Sequence, residues 1–189
     1  MKRAFIAFLL TVMSVVTVSA QTTEISDVVL QNSVQEDGTQ LQLNGAGVRS
    51  KYFLSLYVGS LYLPGKSSDA NKILYSSDMK MIQLDIISSL ITAEKMEETV
   101  RAGFKNSLGG DTSSLQSEID SFIAVFGEEI EVGDIFKFVT SGQELKAYKN
   151  GKLLTTVTGA EFQRALFGIW LGNKPADKKL KNLMLGAKS

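Results

Sequence analysis

The sequence predicts an α+β protein in which an antiparallel sheet packs against one layer of helices. Three observations lead there. Period-two alternation is concentrated in two blocks, near 27–63 and 135–157. The segments between and after those blocks carry apolar residues at helical spacing. Strands and helices thus come in runs, not in strict alternation, and Asn150-Gly151 between two strand candidates is a strong two-residue hairpin signal.

The first 20 residues stand apart from this pattern. Lys2 and Arg3 form a short basic region, Ala4 to Val18 carries no charge and is almost wholly apolar, and Val18-Ser19-Ala20 has the small-x-small form of a cleavage site. Residues 1–20 therefore read as a secretory signal peptide, with a mature start at Gln21. The apolar run is shorter than the roughly 20 residues a transmembrane span needs, and no later segment is long enough. The short signal looks bacterial, so the expected location is the periplasm or the cell exterior. Removing 20 of 189 residues leaves 169, and losing two of 20 basic residues against 20 acidic ones leaves a formal charge of −2. That length suits a single domain, 21–189, with a substantial core.

Along the mature chain, 21–25 reads as a polar lead-in and Asp27 to Gln31 as a first strand. Glu36-Asp37-Gly38 is a turn, and Thr39 to Asn44 alternates as a second strand that Gly45-Ala46-Gly47 interrupts. Tyr52 to Leu63 reads as one long buried strand, stopped by Pro64-Gly65. Asp69 caps a short helix, Ala70 to Tyr75, and Met79 to Ile87 is a strand. Thr92 caps a helix to about Ser107, whose inner face is Met96, Val100, Gly103, Phe104 and Ser107, and Gly109-Gly110 closes it. Ser113-x-x-Gln116 and Thr158-x-x-Glu161 have the form of capping boxes opening two further helices. The first buries Leu115, Ile119, Phe122, Ile123 and Phe126; the second buries Phe162, Ala165, Leu166, Ile169 and Trp170. Between them, Ile135 to Thr140, Glu144 to Lys149 and Lys152 to Val157 are strands. Asp177 opens a last short helix carrying Leu180, Leu183 and Met184.

The composition excludes several function classes. The chain has no histidine and no cysteine, so it lacks the commonest general base near neutral pH, a thiolate nucleophile, disulfides and thiolate zinc sites. The balanced charge gives no sign of a nucleic-acid partner. Gly45-Ala46-Gly47 lacks the third glycine and following helix of a dinucleotide fingerprint, and no cofactor is expected.

Leu43-Asn44-Gly45-Ala46-Gly47-Val48-Arg49, followed by Tyr52 to Leu63 with its Gly59-Ser60-Leu61-Tyr62-Leu63 end, resembles the chalcone isomerase family. Ser107-Leu108-Gly109-Gly110-Asp111, the hairpin at Asn150-Gly151 and the Trp170-Leu171-Gly172 helix end follow in that family's order, over about 27–185. The resemblance implies an open-faced β-sandwich: a large antiparallel sheet with helices over one face. It implies that Arg49 matches the arginine that, in the plant enzymes, holds the substrate. It also places Tyr57, Gly109 and Ile169 where those enzymes carry a threonine, a tyrosine and a polar side chain. Arg49 with a tyrosine at the threonine position is similar to the family's non-enzymatic, fatty-acid-binding branch.

The expectation is therefore a chain with no catalytic residues, in which Arg49 and Tyr57 bind a small apolar carboxylate such as a fatty acid. Eight residues apart, the two would share one face of a continuous strand, unless a bulge or turn near Ser50-Lys51 changes the parity. A guanidinium offers paired donors to a carboxylate, and an apolar cavity between sheet and helices would bury the tail. Two other readings stay open: an isomerase or intramolecular lyase acting on a chalcone-like enone, and a structural or protein-interaction domain with a filled core.

Overall fold

The computed structural model describes residues 21–188, so the expected signal peptide at 1–20 lies outside the described residues. Two strands, β1 (Thr22–Ile25) and β2 (Val28–Gln31), form a hairpin of their own. Seven more form one sheet: β3 (Ser33–Glu36), β4 (Thr39–Lys51), β5 (Leu54–Leu63), β6 (Lys80–Ile86), β7 (Ile135–Ser141), β8 (Glu144–Lys149) and β9 (Lys152–Thr158). Each pairs antiparallel with its neighbour in sequence, in the order β3 to β9. The helices are α1 (Ala70–Tyr75), α2 (Ala93–Ser107), α3 (Gln116–Ile123), α4 (Ala160–Leu171) and α5 (Lys178–Met184). They pack on one side, and the sheet curls into an open-faced half-barrel. The expected α+β class and sheet-plus-helix architecture are what the chain forms. Among the described residues, no helix is long and apolar enough to cross a membrane.

Two cores follow from the period-two pattern. On the helix side, Phe122 packs against Phe104, Phe126, Phe138 and Phe162 with ring centroids 5.5–6.1 Å apart, and Trp170 stacks on Phe138 at 5.8 Å. Such offset and edge contacts add to the large apolar area these rings bury. On the other side, Leu30, Leu41, Val58, Tyr62, Met81 and Val139 form a smaller core. The curl brings the β3–β4 turn across that side. Glu36 pairs with Lys137 on β7, and Asp37 with Lys146 on β8 at 2.7 Å.

Several local expectations are corrected. Residues 22–25 are a strand, not a lead-in, because their alternation pairs with β2. Ser33–Glu36 is a further strand, paired with Thr39–Gln42. Gly45-Ala46-Gly47 does not interrupt its strand; β4 runs on to Lys51 with a bulge at Asn44. Tyr52 and Phe53 are not buried strand residues but the exposed turn between β4 and β5.

Neither expected capping box forms. Ser113–Leu115 is a 3-10 turn, where Asp111 accepts the Ser113 N–H at 2.9 Å, and α3 begins at Gln116. Thr158 is held in the β9 ladder opposite Glu144, so α4 starts from Gly159 at φ +130°, a conformation L side chains rarely adopt. The caps at Asp69, Thr92 and Asp177 do form, each accepting a backbone N–H three residues on.

The glycines of β4 and β5 have a packing role. A methyl group at Gly45 would overlap the Leu183 carbonyl oxygen, and one at Gly47 the Leu183 side chain. One at Gly59 would lie 3.2 Å from Leu180 Cδ2. Strand β4 thus lets α5 lie against its backbone. Asn44, extruded by the bulge, donates to the carbonyls of Ser67 (2.9 Å) and Met184 (2.8 Å) and accepts the Ser67 N–H (2.8 Å). Gly45→Ala is expected to cost about 3 kcal/mol or more in denaturant unfolding, because the backbone of α5 would have to move. Gly65→Ala, with nothing within 4 Å, should stay within about 0.5 kcal/mol.

On the second face, Asp85 is buried with the Gln83 amide as its hydrogen-bond donor, at 3.0 and 3.1 Å. Burial pushes its carboxyl above the ordinary value, against the pull of that amide. The native state then holds the proton more tightly than the unfolded chain, so this group's contribution to stability falls as pH rises through that window. Asp85→Asn should raise Tm at pH 7. The gain should fade as pH falls below the ordinary carboxylate range, as a calorimetric pH series would show.

Candidate ligand-binding site

The site grows out of the β4–β5 hairpin. Before the bulge, Leu41 and Leu43 point into the smaller core. After it, the parity is reversed, and Gly45, Gly47 and Arg49 share the helix side with their partners Leu61, Gly59 and Tyr57. Arg49 and Tyr57 do lie on one face, but not along one continuous strand. They are direct cross-strand partners on adjacent antiparallel strands, brought together by the turn at Tyr52-Phe53. The Arg49 guanidinium carbon sits 5.6 Å from the centre of the Tyr57 ring. Arg49 is half-buried, and among the described residues no carboxylate lies within 4.0 Å of it.

Tyr57 is buried, and its phenol oxygen accepts the Trp170 Nε1–H at 2.8 Å. Indole N–H can only donate, so the phenol must accept, and its own hydrogen is left to aim elsewhere. Burial pushes the phenol up from its ordinary value; the Arg49 charge and the Trp170 N–H pull against that. At neutral pH the group is therefore a neutral donor, not a phenolate base.

A cavity of about 400 Å³ opens beside this pair. The hairpin supplies Leu54 and Leu56 to its wall, and the loop before α2 and the first turns of that helix supply Leu90, Ile91, Met96 and Thr99. Lys51, Lys95 and Glu98 also line it. With Arg49, the lining carries three cations and one carboxylate. The aromatic cluster fills most of the sheet–helix interface, and the cavity occupies its edge, where α2 approaches the hairpin. Chemically, this is an apolar slot with a free guanidinium and a hydroxyl donor, suited to an anionic head on an apolar body. Among the described residues, no group of three or more carboxylates is placed to hold a metal ion.

Sequence reasoning named Arg49 and Tyr57 but assigned Trp170 to packing alone. Trp170 does pack, yet it also orients the Tyr57 hydroxyl from 113 positions away, and no local signal could have joined the two. Tyr62 lies in the smaller core, on the opposite face of β5 from Tyr57. Ile169 is buried, and a methyl group at Gly103 of α2 would come within 2.8 Å of its Cγ2. Gly109 ends α2 at φ +75°.

Trp170→Phe should destabilise the fold by about 1–3 kcal/mol by leaving the buried phenol without its donor. Tyr57→Phe made in that background should cost about 1 kcal/mol less than in the original chain, a coupling that a double-mutant cycle in urea would measure.

No curated protein sequence matches this chain. Among solved structures, the crystal structure of a fatty-acid binding protein from Arabidopsis thaliana is similar at 18% identity, with a TM-score of 0.61. The match covers 81% of this chain and 95% of that one. At that identity, the likeness speaks to the fold. The family model described as chalcone isomerase-like matches residues 22–186, nearly the whole described chain, and the protein belongs to the chalcone isomerase-like family.

Proposed function

We propose that this chain is a non-catalytic binder of a small apolar carboxylate, such as a fatty acid. The observation that carries this reading is the half-buried Arg49 guanidinium, free of any described carboxylate, beside a hydroxyl donor in an apolar cavity of about 400 Å³. A half-buried cation without a described carboxylate partner, beside an apolar wall, favours an anion that brings its own apolar body. The carboxylate takes the guanidinium fork and the Tyr57 O–H. The tail lies along Leu54, Leu56, Ile91 and Met96, each buried methylene contributing about 0.8 kcal/mol. The fatty-acid binding named for the Arabidopsis structure supports this reading by analogy.

Binding is favoured over enone isomerisation by two positions. Ile169 is apolar and packs on α2. Gly109 has no side chain and lies past the end of α2, ten residues beyond the cavity-lining Thr99. The polar groups that the family's enzymes are expected to carry there are therefore missing. The export reading of residues 1–20 belongs to the same proposal, which makes the binder a periplasmic or extracellular bacterial protein starting at Gln21.

The test uses protein secreted from the full-length gene, with its first residue determined and bound lipid released for mass spectrometry. Affinity is then read by displacement of a fluorescent fatty acid. Arg49→Ala should weaken binding at least tenfold, and Arg49→Lys should fall between, since it keeps the charge but loses the fork. Equal affinity in Arg49→Ala, or no fatty acid bound at all, would refute the proposal.

A further inference from the structure

The turn that joins Arg49 to Tyr57 is built from residues that local physics disfavours. Tyr52 and Phe53 both sit at positive φ, +51° and +67°. Two-residue hairpin turns of this geometry favour Asn-Gly, and a bulky residue there is strained. Both rings also face solvent: Phe53 is fully exposed and Tyr52 is 83% exposed. Leu54 beside them is half-exposed, as is Leu90 on the opposite rim of the cavity. Strain and exposed apolar area are therefore combined at one tip, where neither stabilises the free protein.

The surroundings of this tip are cationic. Lys51 lies 5.7 Å from the Tyr52 ring centre, and Lys95 reaches the Leu90 carbonyl at 3.4 Å. Each apolar flank of the cavity mouth thus carries a lysine. Aromatic and aliphatic side chains projecting beyond two flanking lysines match the two layers of an anionic bilayer surface, acyl chains below and phosphate head groups above.

We propose that the Tyr52-Phe53 tip and Leu90 dock the cavity mouth onto the surface of an anionic lipid bilayer, with Lys51 and Lys95 at head-group level. The proposal rests on the carboxylate-binder reading, because the docking surface surrounds the entrance to that cavity. Docking there lets an acyl chain pass between bilayer and cavity without crossing water.

The experiment compares the secreted protein with its Phe53→Asn and Phe53→Trp variants. Phe53 does not line the cavity, and asparagine tolerates positive φ, so Phe53→Asn should fold and keep its solution affinity for a fluorescent fatty acid. The protein should co-sediment with vesicles of equal parts phosphatidylglycerol and phosphatidylcholine, and at least tenfold less with phosphatidylcholine alone. Phe53→Asn should lose at least tenfold in partition onto the anionic vesicles. Phe53→Trp should retain it, with a blue-shifted emission that brominated lipid quenches. No partition onto anionic vesicles, or equal partition of Phe53→Asn, overturns the proposal. So does sedimentation showing that the tip instead mediates a dimer or captures a protein partner. Absent fatty-acid affinity in solution, with vesicle docking intact, would instead overturn the binder reading, so the two failures are told apart.

Discussion

The close approach of α5 to strand β4 is the constraint on which the site depends. A helix can lie directly on strand backbone only where side chains are missing, and Gly45, Gly47 and Gly59 supply that gap on two neighbouring strands. The bulge at Asn44 is the other half of the device. By adding one residue, it turns the strand's odd positions from the smaller core to the helix side, so glycines instead of leucines face α5. The Asn44 amide then ties the end of that helix and the loop after β5 to the bulge. Arg49 reaches the cavity because it follows Gly45 and Gly47 on the same face. The glycine motif is thus first a packing device, and only its last residue, Arg49, lines the cavity.

The distribution of aromatic residues explains where the cavity sits. Phe104, Phe122, Phe126, Phe136, Phe138 and Phe162 fill the space under α3 and α4 and leave no room for a ligand there. Toward the β4–β5 hairpin the lining changes to Leu, Ile and Met from the start of α2, and the packing opens. Trp170 stands at the border, stacked on Phe138 on one side and donating to Tyr57 on the other. Rigid core and adaptable pocket are therefore continuous, and the polar group in the pocket is oriented by the core. Packing and the indole N–H thereby fix the orientation of the phenol.

The absence of histidine and cysteine takes on meaning in this setting. The titratable groups near the cavity are an arginine, lysines, a glutamate and a phenol raised by burial. Burial keeps the phenol a neutral donor at neutral pH. Strand pairing sets the guanidinium and that phenol side by side at the cavity wall.

The sequence by itself determined the fold class, six of the sheet's seven strands in outline and the main helices, and it named Arg49 and Tyr57, which line the cavity. Those features rest on local periodicity and on residue chemistry, both written within a few positions of each other. Tertiary structure alone decided the rest. The continuity of β4 through its glycines was illegible because their role is fulfilled by Leu183, some 140 positions later. The capping boxes failed because backbone pairing had already claimed Thr158, and because Asp111 accepts the Ser113 N–H while the Gln116 side chain accepts from the Thr112 hydroxyl instead of reaching back to that N–H. Tyr52-Phe53 read as buried strand because hydrophobic residues are normally buried, and only the hairpin register exposes them. Arg49, Tyr57 and Trp170 lie on three elements whose meeting is set by strand pairing and helix packing across more than 100 residues. Such contacts leave no trace in local spacing, so the residues were readable and their arrangement was not.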